Sequence, residues 1–329
     1  MTNAHSLYAG FDLGGTKISM TLADRRGEVV RREKLKTPSN ISTAGGMGVA
    51  GNVITLIARS GFLPDIAAMT FAIAGYSNKS ELYDFEQTLR AEFSNVKSLN
   101  FMPDYKIFLH SDWSDFTIEK ENGGDNAVKA IIICGTGSVV MACAKNESGA
   151  YEVHKIFGGG PVTSDPGSGF DLGLRFLRRY GIECALGTLD ERVYGIARAS
   201  GYEDIASMAE ETRLTGPGAA SRIAAFAPLM LEVSENVEGT PYFEETLAAA
   251  RNIAMGMRHI FKNNLKNPID KPVKILFNGS VLLRSEFYRN IMKEYLKSYI
   301  NAPKIDFFEV TEDVSLICAR YSIEMCPED

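Results

Sequence analysis

The chain has 329 residues, 45% of them hydrophobic, with a formal charge of -6 and a pI near 5.5. That length can bury more than one core and fits two domains better than one. The acidic balance speaks against nucleic acid as the main partner, because neutralising a phosphate backbone takes a basic face. No stretch approaches the apolar length of a membrane span, so no membrane partner is expected. The first residues, Met1 to Ser6, lack the basic start and apolar core of a signal peptide, and a cytoplasmic location is expected. Five cysteines (Cys134, Cys143, Cys184, Cys318, Cys326) are odd in number and nowhere spaced C-x-x-C, which predicts reduced packing residues. The four histidines are dispersed, so nothing supports a zinc site.

In chain order, Leu7–Leu13, Ile18–Ala23 and Glu28–Leu35 read as three strands. A Gly-rich segment, Thr43 to Gly51, leads into a helix over Val53–Ala58. Met69–Ile73 is a short buried strand ending at Ala74-Gly75. Glu81–Phe93 is a helix with Leu82, Phe85, Leu89 and Phe93 on one face. Lys106–Leu109 reads as a further strand, ending at His110-Ser-Asp112-Trp113. This is a lobe of three antiparallel strands followed by alternating helix and strand, which implies a mixed sheet covered by helices.

The polar run Glu119–Asn126 is the best boundary, giving an N-terminal lobe over 1–118 and a C-terminal lobe over 119–329. Three more strands follow it. Then come a Gly-rich loop from Gly158 to Gly173 and a helical stretch from about 174 to 257. Lys274–Phe277 is a late strand running into Asn278-Gly-Ser280. A helix over Glu286–Tyr299, a strand around Ile305–Phe308 and a terminal helix from Val314 complete the chain.

The chain states one pattern twice. Tyr8 to Lys17 carries an apolar strand into Asp12-Leu-Gly-Gly-Thr-Lys17 and returns through Ile18–Leu22 to a turn at Gly27. Lys129 to Ser138 carries a second into Cys134-Gly-Thr-Gly-Ser138 and returns through Val139–Cys143 to a turn at Gly149. Gly15 to Gly27 and Gly137 to Gly149 have the same spacing. Two such units suggest two similar lobes with a cleft between them, into which two backbone-rich turns would face.

Glycines let a backbone approach a phosphate and point N–H groups at it. Gly14, Gly15, Thr16 and Lys17 are therefore candidate phosphate contacts, with Asp12 placed to hold Mg²⁺ directly or through water. Gly135, Thr136, Gly137 and Ser138 form the partner turn. Neither G-x-x-x-x-G-K-[ST] nor G-x-G-x-x-G occurs in these turns. A carboxylate at Asp112 or Asp115 could take a proton from an attacking hydroxyl, or could simply cap the next helix, and local sequence leaves the two readings equal. The loop from Gly158 to Gly169 is too long and Gly-rich for a buried element, and Asp165 is its only charge. Gly279 and Ser280 follow the last strong apolar strand, where a loop could touch the adenosine half of a nucleotide.

Together these segments resemble the actin/hexokinase/Hsp70 superfamily of duplicated ribonuclease-H-like lobes. Within it they resemble the BadF/BadG/BcrA/BcrD ATPase family and its N-acetylglucosamine kinases, over Gly10 to about Arg320. The resemblance implies an α/β actin-like ATPase fold of two lobes, each with a mixed five-stranded sheet, and a nucleotide cleft between them. It also makes the last helix a candidate to pack back on the N-terminal lobe. Asp12–Lys17 matches the first phosphate loop, Gly135–Ser138 the second, and Gly279-Ser280-Val281 the adenosine loop. The catalytic aspartate falls on Asp112. Sugar contacts fall on Asn40, on Ala74-Gly75-Tyr-Ser77, and on the loop containing Gly160 and Asp165.

The chain departs from the pattern in that loop. Gly160 stands where Trp is usual and Pro166 replaces a Glu, while a late Gly-Ala motif is missing near Ser315 to Ala319. The implied function is an ATP- and Mg²⁺-dependent sugar kinase, with an N-acetylhexosamine as acceptor and a homodimer as assembly. A 2-keto-3-deoxy sugar acid is the alternative substrate. The alternative from another class is a partner-activating ATPase with an iron–sulfur cluster, for which Cys134 and Cys184 are the conceivable ligands.

Overall fold

The computed structural model describes residues 6–110, 127–145, 151–202, 204–212, 218–265, 270–310 and 312–326. The chain divides into two compact units. The first is Met1–Thr117 with Thr311–Asp329, and the second is Ile118–Val310. Asp112 and the run Glu119–Asn126 lie outside the described residues, as does the turn at Asn146 to Gly149.

The first unit contains β1 (Leu7–Leu13), β2 (Lys17–Ala23), β3 (Val29–Lys36), α1 (Ile41–Ala44) and α2 (Gly46–Ser60). They are followed by β4 (Ile66–Ile73), α3 (Lys79–Glu92) and β5 (Ser98–Pro103). Its sheet has the order β3-β2-β1-β4-β5, antiparallel from β3 to β1 and parallel from β1 to β5. Alternation along β1 divides its side chains between the two faces. Leu7, Ala9, Phe11 and Leu13 join Val49, Val53, Ile57, Phe85 and Leu89 in one core. Phe11, Phe71 and Phe101 form a row across three strands, with ring centroids 4.7 and 5.2 Å apart, and Phe85 meets two of them edge-on.

The opposite face of β1 carries Tyr8, Gly10 and Asp12. The C-terminal helix of this unit covers it (Val314–Glu324, α12 in chain order). Gly10 makes that approach possible, since a Cβ there would lie 2.0 Å from the Ser315 carbonyl oxygen. Thr21 and Thr70, the cross-strand partners of Gly10, meet hydroxyls on the helix. Thr21 Oγ1 is 2.7 Å from Ser315 Oγ, and Ser322 Oγ donates to Thr70 Oγ1 at 2.7 Å.

The second unit contains β6 (Val128–Cys134), β7 (Ser138–Lys145) and β8 (Tyr151–Phe157), then α4 (Gly169–Leu186). Four shorter helices follow: α5 (Glu191–Ala199), α6 (Ile205–Glu211), α7 (Ala219–Ala224) and α8 (Ala227–Asn236). After them come α9 (Pro241–Asn263), β9 (Val273–Asn278), α10 (Ser280–Arg284), α11 (Glu286–Tyr299) and β10 (Ile305–Glu309). The sheet order is β10-β9-β6-β7-β8, which repeats the first sheet strand for strand, with the same antiparallel and parallel pairings.

Three sequence expectations need correction. Lys106–His110 is a 3₁₀ turn and the fifth strand is Ser98–Pro103, because Leu99 and Phe101 pack on the first core and Phe101 completes the aromatic row. The glycines before Val53 belong to α2, which starts at Gly46; a Cβ at Gly46 would lie 2.0 Å from the Glu81 carbonyl oxygen, so the glycine lets α2 press on α3. The Gly-rich loop ends at Ser168, whose hydroxyl caps α4 at Asp171 N, 3.2 Å away. Gly173 lies inside that helix and admits the backbone of α7, the Ile223 carbonyl oxygen being 2.0 Å from its would-be Cβ.

Candidate functional site

In the first unit the chain leaves β1 at Leu13, crosses four residues and re-enters at Ile18, with Gly14 N donating to Lys17 O at 3.2 Å. Buried Ser39 steadies this turn from below: its hydroxyl is 2.7 Å from both the Gly14 and Lys17 carbonyl oxygens. Gly15, Thr16 and Lys17 are exposed. A Cβ at Gly14 would meet only Lys17 O, at 3.8 Å, so the protein itself barely requires a glycine there. Among the described residues the amides of Gly15 and Thr16 have no acceptor, an arrangement that suits an incoming anion.

Asp12 lies at the end of β1 on the face covered by α12. Loss of hydration pushes its carboxyl up to about 7, and the charges of Asp104 and Asp313 push the same way, against Lys17 and Lys34. Asp104 follows β5, and Asp313 caps α12 through Ser315 N at 3.0 Å. The Asp12 carboxylate is a hard-oxygen donor of the kind Mg²⁺ takes, with Asp104 and Asp313 adding to the negative field around it and Lys17 and Lys34 opposing them. Asp104 and Asp313 escaped the sequence reading, although Pro103-Asp104 marks a strand end and Asp313 a helix cap.

The sugar-side candidates of this unit come together. Asn40 Oδ1 caps α1 through Ser42 N at 3.0 Å, Ile41 N donates to Ala74 O at 3.1 Å, and Ser42 Oγ donates to Gly75 O at 3.0 Å. Gly75 has φ 83°, and a Cβ on it would lie 2.3 Å from Asn40 Oδ1. Glycine is needed here on both counts. Asn40 Nδ2 has no acceptor among the described residues and is available to a hydroxyl. Ser77 is exposed on the same turn, just before Asn78 caps α3.

The second unit builds its turn more tightly. Cys134 pairs with Ser138 and only three residues cross, with Gly135 N donating to Gly137 O at 2.9 Å. The carbonyls of Gly135 and Thr136 accept the Gly169 and Phe170 amides at 2.7 and 3.1 Å, so the start of α4 is bolted to the turn. Ser138 Oγ donates to Pro166 O at 2.8 Å. Gly279, with φ 90°, touches the same turn, its would-be Cβ 2.4 Å from the Cys134 carbonyl and 2.7 Å from Gly135 N. The second phosphate candidate and the adenosine candidate are therefore neighbours. Among the described residues Thr136 N and Gly137 N have no acceptor.

Buried Asp165 organises the loop that precedes α4. Its Oδ1 accepts from Gly158 N at 3.0 Å, Gly160 N at 3.3 Å and Ser164 Oγ at 3.2 Å. Its Oδ2 lies 2.5 Å from the position of a Cβ on Gly137. Much of this carboxylate is thus occupied within the protein. A groove of about 670 Å³ runs between this loop, α4 and α9, lined by Phe157, Val162, Asp171, Arg175, Asn252 and His259 among others. Arg175 Nε donates to Asp171 Oδ1 at 2.9 Å.

None of the five cysteines forms a disulfide. Cys134 is buried in β6, and burial pushes its thiol well up, as it does for Cys318. Neither has the lowered pKa of a ready thiolate ligand. Among the described residues no group of three His, Cys, Asp or Glu is spaced for a metal by itself, and no helix is long and apolar enough to cross a membrane.

The family described as the BadF/BadG/BcrA/BcrD ATPase family matches residues 9–309. Among solved structures, a protein from Chromobacterium violaceum provisionally named an N-acetylglucosamine kinase superposes with a TM-score of 0.67 at 16% identity. That match covers 97% of this chain and 99% of the other. One from Porphyromonas gingivalis with the same provisional name gives 0.65 at 16% identity, covering 96% and 98%. A ROK family glucokinase from Streptomyces griseus, in complex with glucose and AMPPNP, gives 0.58 at 15% identity, covering 97% and 100%. At these identities the likeness establishes the actin-like two-lobe α/β fold. No curated protein sequence matches the chain significantly.

Proposed function

We propose, from the premise that the chain belongs to the BadF/BadG/BcrA/BcrD ATPase family, that it is an ATP-dependent sugar kinase. The observation that carries this reading is the duplication. Two sheets of identical strand order each open with a strand, a Gly/Thr turn with unpartnered amides and a returning strand. Turns of this kind suit the phosphates of a nucleotide.

Gly14, Gly15, Thr16 and Lys17 would take phosphate oxygens on the first unit. Gly135, Thr136, Gly137 and Ser138 would do so on the second, and Gly279 with Ser280 would bear on the adenosine. Asp12 would hold Mg²⁺, with Asp104 and Asp313 adding to the negative field around it. The metal would supply charge neutralisation on the transferring phosphoryl group. Asp112 would orient the acceptor hydroxyl and take its proton. Asn40, Gly75 and Ser77 would position the sugar, together with Gly160; Asp165 would act chiefly by shaping the loop that carries Gly160.

An N-acetylhexosamine is the first acceptor to try. A 2-keto-3-deoxy sugar acid is the second reading, favoured by one observation: Arg175, paired with Asp171, lines the groove beside the altered loop, where an acid would compete for it. We further propose a cytoplasmic homodimer, to be read by sedimentation and fractionation.

The test is ADP release with Mg-ATP against N-acetylglucosamine, N-acetylmannosamine, glucose, glucosamine and 2-keto-3-deoxygluconate. Strong stimulation by one compound is expected. Slow ATP turnover indifferent to all of them would transfer the case to a partner-activating ATPase. Within the kinase reading, Asp112→Asn should cost at least about a hundredfold in kcat; a loss of only a few-fold would remove the general-base role.

A further inference from the structure

Phe157, the last residue of β8, has φ 69° and is the only non-glycine with positive φ among the described residues. A bulky aromatic seldom adopts that conformation, and it persists only where the surroundings impose it. Its ring lies against α9. A Cβ on Gly256 would lie 2.4 Å from Phe157 Cε2 and 2.8 Å from its Cζ, so the ring fills the space that a side chain there would take. Val139, at the start of β7, is its cross-strand partner.

Directly after Phe157 the chain turns through Gly158, whose amide meets Asp165 Oδ1, and Gly160, whose amide meets the same oxygen. The other oxygen of Asp165 presses on Gly137, where any Cβ would be 2.5 Å away. A continuous set of contacts thus runs from α9 through Phe157, the loop amides and Asp165 to the second turn. All of it lies within the second unit.

We infer that Phe157 is a positioning residue for the second phosphate turn. Its backbone, held in the left-handed region by the fit of its ring onto Gly256, aims the Gly158 and Gly160 amides at Asp165. Asp165 so held fixes Gly137 and keeps the Thr136 and Gly137 amides presented. This assignment rests on the nucleotide reading of that turn. Phe157 touches neither nucleotide nor sugar in this account; it acts through Asp165.

The experiment uses the full chain with Gly256→Ala, which drives a methyl group into the ring, and the milder Phe157→Leu. Hydrogen exchange is followed in the ligand-free protein at the Gly135, Gly169 and Phe170 amides, which bond within or onto the second turn. The Gly14 amide of the first turn serves as reference. Mg-ATP affinity is measured by calorimetry without sugar, beside the melting temperature. Both variants should speed exchange at the second turn severalfold relative to the first and weaken Mg-ATP binding by about tenfold, as expected when a binding group is misplaced by a fraction of an ångström. A lower melting temperature with parental exchange at Gly135 and Gly169 and parental affinity would reduce Phe157 to core packing and overturn the inference. If the parent itself bound no Mg-ATP, the nucleotide reading would fail; parental exchange would then sink the mechanical link as well, and faster exchange would uphold it.

Discussion

The two Gly/Thr turns invite comparison because the sequence spaces them alike and the structure supports them differently. A constant offset aligns Gly15 with Gly137 and Asp12 with Cys134, so a carboxylate in one unit stands where a buried thiol stands in the other. The hairpin registers do not follow that offset: four residues cross between Leu13 and Ile18, and three between Cys134 and Ser138. The first turn is open and braced by one hydroxyl. The second is clamped by the start of α4, by Asp165 and by Gly279. Duplication preserved the sheet order, while the supports around each turn diverged, which suits a division of labour between a metal-side loop and a rigid phosphate cradle.

The sharpest way to break this comparison is to add one methyl group to each side. Gly279→Ala sets a Cβ 2.4 Å from the Cys134 carbonyl at φ 90°, and should cost about 3 kcal/mol or more in urea unfolding, from overpacking and backbone strain together. Gly14→Ala meets nothing closer than 3.8 Å and should change stability by less than about 0.5 kcal/mol. The same Gly14→Ala should still weaken Mg-ATP binding under the proposed phosphate role of this turn, because its methyl group would crowd the approaching phosphate. Equal destabilisation by the two substitutions would erase the distinction.

Asp165 tests the clamp next. Asp165→Ala leaves three donors, on Gly158, Gly160 and Ser164, without their acceptor, and should cost about 2–4 kcal/mol. Asp165→Asn keeps one carbonyl oxygen as acceptor and should lose about half as much. If Asp165 served only the sugar, both variants would keep parental stability and change only the sugar KM.

Asp12 sharpens the other side of the comparison through pH. Its carboxyl is pushed up to about 7 from an ordinary value of 3.8, so the folded protein holds a proton that the unfolded chain has already released. The stabilisation is complete below about pH 4 and is lost as pH rises toward 7. In metal-free protein, the melting temperature of Asp12→Asn should gain on that of the parent across this window and then run parallel above it. Adding Mg²⁺ at pH 8 should restore the parent and leave the variant unmoved. Parallel curves from pH 4 to 8 would show that the Asp12 carboxyl is not strained by its neighbours.

Much of this was legible before any coordinates. Apolar runs located β1, β2, β4 and β9 to within a few residues, and helical spacing located α3. Local pattern failed where tertiary contact decides. Lys106–Leu109 is as apolar as a strand, yet the aromatic row under Phe71 selects Phe101 for the sheet. Glycines at 46 and 173 read as loop residues, but each exists to let another backbone approach its helix. The turns could be found from their glycines, whereas the charges of Asp104 and Asp313 bear on Asp12 only through the fold, and no spacing announces them. For the proposed base, local sequence offered Asp112 or Asp115 without deciding between base and helix cap, the resemblance chose Asp112, and that residue lies outside the described ones.

A smaller loss of stability than at Gly279 or Asp165 is expected at Ser39, the brace of the open turn. Its hydroxyl sits 2.7 Å from the carbonyls of Gly14 and Lys17 and can donate one proton between them. Ser39→Ala should therefore remove about 1 kcal/mol, the net worth of one hydrogen bond, since the exposed turn can recover hydration at its carbonyls. The consequence for binding should be larger in proportion. With nothing to fix the two carbonyls, the Gly15 and Thr16 amides lose their fixed aim, and the KM for ATP should rise while kcat stays near the parent. The equivalent loss at the second turn, Ser138→Ala, removes one bond of several, because the α4 amides, Asp165 and Gly279 remain. A greater gain in hydrogen exchange at the Gly135 amide from Ser138→Ala than at the Gly14 amide from Ser39→Ala would mean that the second turn depends on its hydroxyl more than on its clamps, and would reverse the order of rigidity of the two turns.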